Sequence, residues 1–164
     1  MSDAAALLDK YEGKGVFIDT NLLVLLLVGM VNEDRISRFK RTQDFTWEDF
    51  RTLRNLVAWF GSPLVSTPHV LSQVSDLTDL AGDEGTAVRE LFREFSINVI
   101  SETRDPASQL TQHSLFNRLG LADVSVAAVC ERKVVVLTAD VQLQVALTAL
   151  GLDAINFNHL RPVR

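Results

Sequence analysis

Asp19, Asp123 and Asp140 are the residues of this 164-residue chain whose types and surroundings point to chemistry. Asp19 ends the apolar run 15–18 in VFIDTN, Asp140 follows the run 134–137 in VVVLTAD, and Asp123 stands in the first turn of the helix-like stretch LGLADVSVAAV. In a parallel sheet the carboxyl ends of neighbouring strands open onto one crevice, where α/β proteins bind their ligands. Carboxylates placed at those edges can converge on a single divalent cation, an arrangement that suggests a metal-dependent hydrolase.

The elements that would position these acids alternate along the chain. After an amphipathic helix over 3–11 come a first strand over 15–19 and a helix from 21 to about 30, with Thr20 or Asn21 as its cap. Residues 32–46 are polar and read as a loop with some helix. T-W-E-D at 46–49 opens a second helix signal, a hydroxyl at the cap and acids in the first turn, which ends at Gly61-Ser62-Pro63. A short strand over 64–66 leads into Thr67-Pro68, hydroxyl cap and proline at the first helical position. The helix that follows carries Val70, Leu71, Val74 and Leu77 on one side. Gly82 to Gly85 breaks the pattern, which resumes over 86–95, with a brief strand over 98–101. Helices are expected over 108–118 and 122–132, a strand over 134–137, a helix over 141–150 closed by Gly151, and a last strand over 154–157. The order implies a three-layer α/β/α sandwich around a mostly parallel sheet, with residues 1–164 as a single domain.

Composition sets outer bounds on function. An apolar fraction of 47% and a charged fraction of 23% are ordinary globular usage, enough for one packed core. The longest apolar run, near Leu22–Val28, falls short of the roughly 20 residues a membrane helix needs. The acidic start lacks the basic region and cleavage site of a secretory signal, so cytoplasmic residence is expected. The single cysteine, Cys130, excludes an intramolecular disulfide and gives no clustered ligands for zinc; its apolar neighbours put it in a helix core. His69, His113 and His159 are scattered and read as structural or surface groups, and Trp47 and Trp59 as core or edge-of-core residues.

Taken together, FIDTNLL, STPHVLSQVSDL, LGLADVSVAAV and VVVLTADVQLQVALTALGLDAINF resemble the four signature regions of PIN-domain ribonucleases, a family that includes toxins of type II toxin–antitoxin pairs and RNA-processing factors. The resemblance spans about residues 16–157, and its specificity lies in the order and spacing of the four regions. It implies that Asp19, Asp123 and Asp140 hold Mg²⁺ or Mn²⁺ and orient a water that attacks an RNA phosphodiester. It also implies supporting roles for Thr138, beside the last acid, and for Asn21, the small polar position two residues after the first. In the family a further acid lies on the helix after T-P-x-x-L, whereas this chain has Gln73 there. Glutamine keeps the length and an amide oxygen but loses the charge, which should lower metal affinity. Asp76, three residues on and so on nearly the same helix face, is positioned to supply the missing charge, and Asp79 is a poorer candidate.

A net charge of −5 argues against a generally basic nucleic-acid coat, so substrate contacts must be local. Arg35, Arg38, Lys40 and Arg41 form a basic stretch able to bind a phosphate backbone without reading sequence, against the alternative of a solvated face neutralised by Glu33, Asp34 and Asp44. Arg161 and Arg164 could extend that patch. The resemblance implies an RNA substrate, an antitoxin partner and a homodimer, and the lack of further domains favours the toxin role over RNA processing. Two other readings remain: a catalytically attenuated PIN fold that binds RNA or protein without cleaving, and a phosphoacceptor domain using Asp19. The latter lacks an acidic pair before the first helix and a strand-end lysine.

Overall fold

A computed structural model describes residues 4–163 of the chain. Asp3 and Arg164, which the sequence reading includes in the first helix and the basic patch, lie outside the described residues. Five three-residue strands form the sheet: β1 (Val16–Ile18), β2 (Leu64–Ser66), β3 (Ile100–Glu102), β4 (Val136–Thr138) and β5 (Ala154–Asn156). Their order is β3-β2-β1-β4-β5 and every pairing is parallel, with Phe17 level with Val65 on one side and with Val136 on the other. β1, β2, β4 and β5 are buried throughout, which is why they read as unbroken apolar runs rather than as alternation. Helices flank the sheet in a three-layer α/β/α sandwich, as the order of elements implies. Among the described residues no helix is long and apolar enough to cross a membrane.

The flanking helices are α1 (Ala4–Tyr11), α2 (Thr20–Val31), α3 (Trp47–Phe60), α4 (Pro68–Leu77), α5 (Gly82–Asn98), the single turns α6 (Ala107–Leu110) and α7 (Phe116–Leu119), α8 (Leu121–Cys130) and α9 (Val141–Ala149). α2 is apolar on all sides because it is enclosed on all sides. Leu22 to Val28 are all buried, and the helix packs on α3, α4, α5 and the 3-10 segment Glu33–Arg38. Gly29 lies where a Cβ would collide with the Phe50 ring, so this helix can approach α3 only with glycine there. Thr46 and Asp49 form the reciprocal capping box read from T-W-E-D, and Thr67 with Pro68 opens α4 as expected.

Several local expectations are corrected. The cap of α2 is Asp19, not Thr20 or Asn21: Asp19 has extended backbone angles and its carboxylate accepts from the Leu22 amide, so Thr20 is already helical. Gly82 and Gly85 start α5 instead of interrupting it. Gly82 takes a φ of +66°, and Gly85 is pressed against the Leu80 carbonyl where no side chain fits. The helix expected over 108–118 is two turns, divided where the His113 Nδ1 accepts from the Leu115 amide. Trp47 and Trp59 are 48% and 45% exposed rather than core. The Arg51 guanidinium lies 4.4 Å from the centre of the Trp47 ring, and the Trp59 indole donates to the Leu8 carbonyl. Cys130 is buried at the end of α8, as read.

Candidate active site

The strand order creates the crevice that the site occupies. From β1 the chain passes through α2 and α3 to β2 on one side, whereas β4 passes through α9 to β5 on the other, so connections diverge above the carboxyl ends of β1 and β4. Such a switch point leaves an opening that no crossover covers. A cleft of about 370 Å³ includes Asp19 from the end of β1, Asp140 from the end of β4, Asp123 from the first turn of α8 and Asp76 from α4. Thr20, Asn21 and Gln73 complete its polar lining, and Leu77, Val126 and Leu143 its apolar part.

Asp19 is the fixed member. It is 5% exposed, with Oδ1 accepting from the Leu22 amide at 3.1 Å and Oδ2 accepting from the Thr138 hydroxyl and from the Ala139 amide at 3.1 Å. Burial pushes its pKa above the ordinary carboxylate value, a rise opposed by these donors and reinforced by the charge of Asp140. Thr138, fully buried, also accepts from the Asp140 amide at 2.9 Å, so one hydroxyl sets both acids. Asp140 caps α9 through Oδ1, which accepts from Gln142 and Leu143 at 2.7 and 3.1 Å, and its side chain is exposed.

Asp123 differs from both. Among the described residues it accepts no hydrogen bond, and burial, then the charges of Asp140 and Asp19, push it up to about 6. The three acids line the same cleft, near enough for the charges of Asp140 and Asp19 to act on Asp123. α8 and α4 are held together by the buried pair of hydroxyls Thr67 and Ser125, 2.7 Å apart, so Asp123 and the Gln73–Asp76 face keep a fixed relation. Ser125 escaped the sequence reading, although a lone serine inside the apolar run DVSVAAV was a signal of a buried polar contact.

Among the described residues no three Asp, Glu, His or Cys side chains are gathered tightly enough to form an assembled metal site. Asp19 is pinned by donors on both oxygens and Asp140 on one. The donor types nevertheless fit a hard divalent cation of the Mg²⁺ or Mn²⁺ class. The lining offers carboxylate and amide oxygens with no thiolate or imidazole, and an excess of negative charge with no basic side chain.

Gln73 occupies the cleft wall, its Oε1 accepting from the Thr20 hydroxyl at 2.8 Å, and Asp76 lies one turn along the same wall. Asp79 is outside the lining and paired with Lys40 at 2.9 Å. The basic stretch does not line the cleft either. Arg35 Nε stands 3.3 Å from Glu84, Lys40 is held by Asp79, and Arg38 Nε donates to the Asp34 carbonyl. Arg41 is exposed, and its charge helps to hold Asp79 below the usual carboxylate range after the larger effect of Lys40. Arg161 belongs to no such patch, because its guanidinium is turned inward onto buried Asp49 at 2.8 Å. Neither His69, His113 nor His159 lines the cleft. No protein-family model matches the chain, and the comparison with curated proteins finds no match.

Proposed function

We propose that this protein is a divalent-metal-dependent endoribonuclease of the PIN type, with Asp19, Asp123 and Asp140 as its acidic centre. The observation that carries this reading is that three carboxylates, from the ends of β1 and β4 and the first turn of α8, line one cleft where the sheet's connections diverge. Burial and their mutual repulsion push Asp123 to about 6.

Asp123, Asp140 and the spare lone pair of Asp19 are the groups that would hold Mg²⁺ or Mn²⁺, which supplies neutralisation of phosphate charge and a water of lowered pKa. The chain's own part is largely positional. Thr138 and Ala139 fix the Asp19 carboxylate before any ligand arrives. Asp123, part-buried and without a hydrogen bond among the described residues, is the acid able to exchange a proton for a cation. Gln73 and Asn21 offer neutral amides to phosphate oxygens at the cleft wall. With no Lys or Arg in the lining, an RNA backbone is repelled until a cation occupies the cleft, while exposed Arg38 and Arg41 stand ready for phosphates outside it.

The decisive experiment incubates the purified protein with single-stranded RNA and Mn²⁺ or Mg²⁺, with chelator and Asp140→Asn as controls. Cleavage abolished by both controls is expected, and cleavage that survives either one removes the mechanism. The neutral Gln73 favours a second reading, an attenuated module that binds RNA or protein; RNA binding with no cleavage under any metal would select it. A toxin role requires in addition that induced expression arrest growth and that Asp140→Asn relieve the arrest.

A further inference from the structure

The turn that sets Asp19 and Asp140 is itself held from outside the sheet. β5 ends at Asn156, whose Oδ1 accepts from the Asn158 amide at 2.9 Å and so caps the 3-10 segment Phe157–His159. Phe157, fully buried, anchors that turn, and Asn158 is thereby placed to donate from Nδ2 to the Ala139 carbonyl at 2.9 Å. Ala139 is the residue whose amide donates to Asp19, and it lies between Thr138 and Asp140. One peptide segment thus bonds to the acidic centre on its amide side and to Asn158 on its carbonyl side.

Asn158 is fixed in turn from α3. Its Oδ1 accepts from Arg161 Nη1 at 3.4 Å, and the same guanidinium donates to both oxygens of Asp49 at 3.1 and 2.8 Å and to the Asp44 carbonyl at 2.8 Å. Burial raises the pKa of Asp49, but the Arg161 guanidinium and the Thr46 donors together outweigh it and hold the acid below its usual value, so it stays ionised. Arg161 also lies over the Phe45 ring, 5.1 Å from its centre. We propose that the segment 156–161 is a brace for the acidic centre, with Asn158 the positioning residue and the Arg161–Asp49 pair its anchor.

The brace is a statement about the 138–140 turn; its consequence for catalysis rests on the nuclease reading. Asn158 is exposed, so truncating it removes a bond to the turn without opening the core. Asn158→Ala is compared with wild type and with His159→Ala, a neighbouring exposed position, by amide hydrogen exchange, Mn²⁺ titration calorimetry and steady-state RNA cleavage. Loss of one hydrogen bond should speed exchange of the Ala139 and Asp140 amides about fivefold, with the melting temperature lowered by no more than about 2–4 °C. Mn²⁺ affinity should fall about tenfold, as for other groups that orient ligands without touching the metal. kcat should fall while KM for RNA stays constant, a split that general destabilisation does not produce. Unchanged exchange at Ala139 and Asp140 overturns the brace, whatever the activity. Faster exchange with unaltered Mn²⁺ binding and kcat overturns the positioning role. If wild type neither binds Mn²⁺ nor cleaves RNA, the nuclease reading fails, and the exchange data alone still decide the brace.

Discussion

Replacing Asp123 by asparagine should make the protein more stable at neutral pH while removing the metal-dependent activity we propose for it. Asp123 has no hydrogen-bond partner among the described residues, and burial together with Asp140 and Asp19 moves it from 3.8 to about 6. Taken whole, that displacement corresponds to about 3 kcal/mol. The side chain is part-exposed, so solvent screening brings the expected penalty to about 1–2 kcal/mol. The sign follows from proton binding. Below the unfolded value both states are protonated and there is no difference; between 3.8 and about 6 the unfolded chain releases a proton that the folded chain retains, so wild-type stability falls as pH rises. Above that window the full penalty is present. The amide of Asp123→Asn never ionises, so the variant should match wild type near pH 3.5 and exceed it by about 1–2 kcal/mol at pH 7.5. Thermal melts across this range should show a gain of about 2–8 °C at the upper end. A variant no more stable than wild type at pH 7.5, or a gain that does not vary with pH, would refute the electrostatic account of the cleft.

Mn²⁺ at about a hundred times its Kd should stabilise wild type by about 2.7 kcal/mol and leave Asp123→Asn nearly unmoved; equal shifts in both would place the ion elsewhere. Metal binding and cleavage should weaken as pH falls through about 6, where Asp123 takes up a proton, and a pH profile flat from about 5 to 7.5 would exclude Asp123 as a ligand. Gln73→Glu restores a carboxylate at nearly constant volume and should tighten Mn²⁺ binding in calorimetry, with Asp76→Asn weakening it; no change in either removes this wall of α4 from the site. Arg161→Met removes the guanidinium that faces buried Asp49 and should cost about 3–5 kcal/mol in denaturant titration, partly recovered in the double variant with Asp49→Asn.

The layered architecture and the placing of the three acids along one cleft were legible because both are written locally. Apolar runs of strand length ending in Asp19 and before Asp140, and helices opened by Thr46 and Thr67, each carry their signal within a few residues. What escaped depends on contacts between distant segments. The resemblance names Thr138 only as a neighbour of Asp140; its bond to Asp19 spans 119 positions, and nothing near either residue announces that one hydroxyl will set two carboxylates. Gly82 and Gly85 read as a break because glycine is a poor helix former; the approach of the Leu80 carbonyl, which makes a side chain impossible at Gly85, is a fact of the folded chain. Arg161 reads as a surface charge until Asp49 is known to be buried beneath it.

Asp19 also shows why fold and site cannot be separated in this crevice. As the cap of α2 it would gain nothing from burial, since an exposed carboxylate accepts the Leu22 amide equally well. Burial at the end of β1 instead raises its pKa, a cost that Thr138 and Ala139 offset only in part. Asp140 divides the same tasks differently, committing Oδ1 to two amides of α9 and leaving its second oxygen toward solvent. The substitutions are therefore unequal tests. Asp140→Asn can keep the capping oxygen and change only the charge of the outer atom, whereas Asp19→Asn must turn an amide toward the Ala139 N–H or the Leu22 N–H and lose one of those bonds. Activity lost in Asp140→Asn with an unaltered melting temperature therefore speaks to chemistry, and the same loss in Asp19→Asn does not.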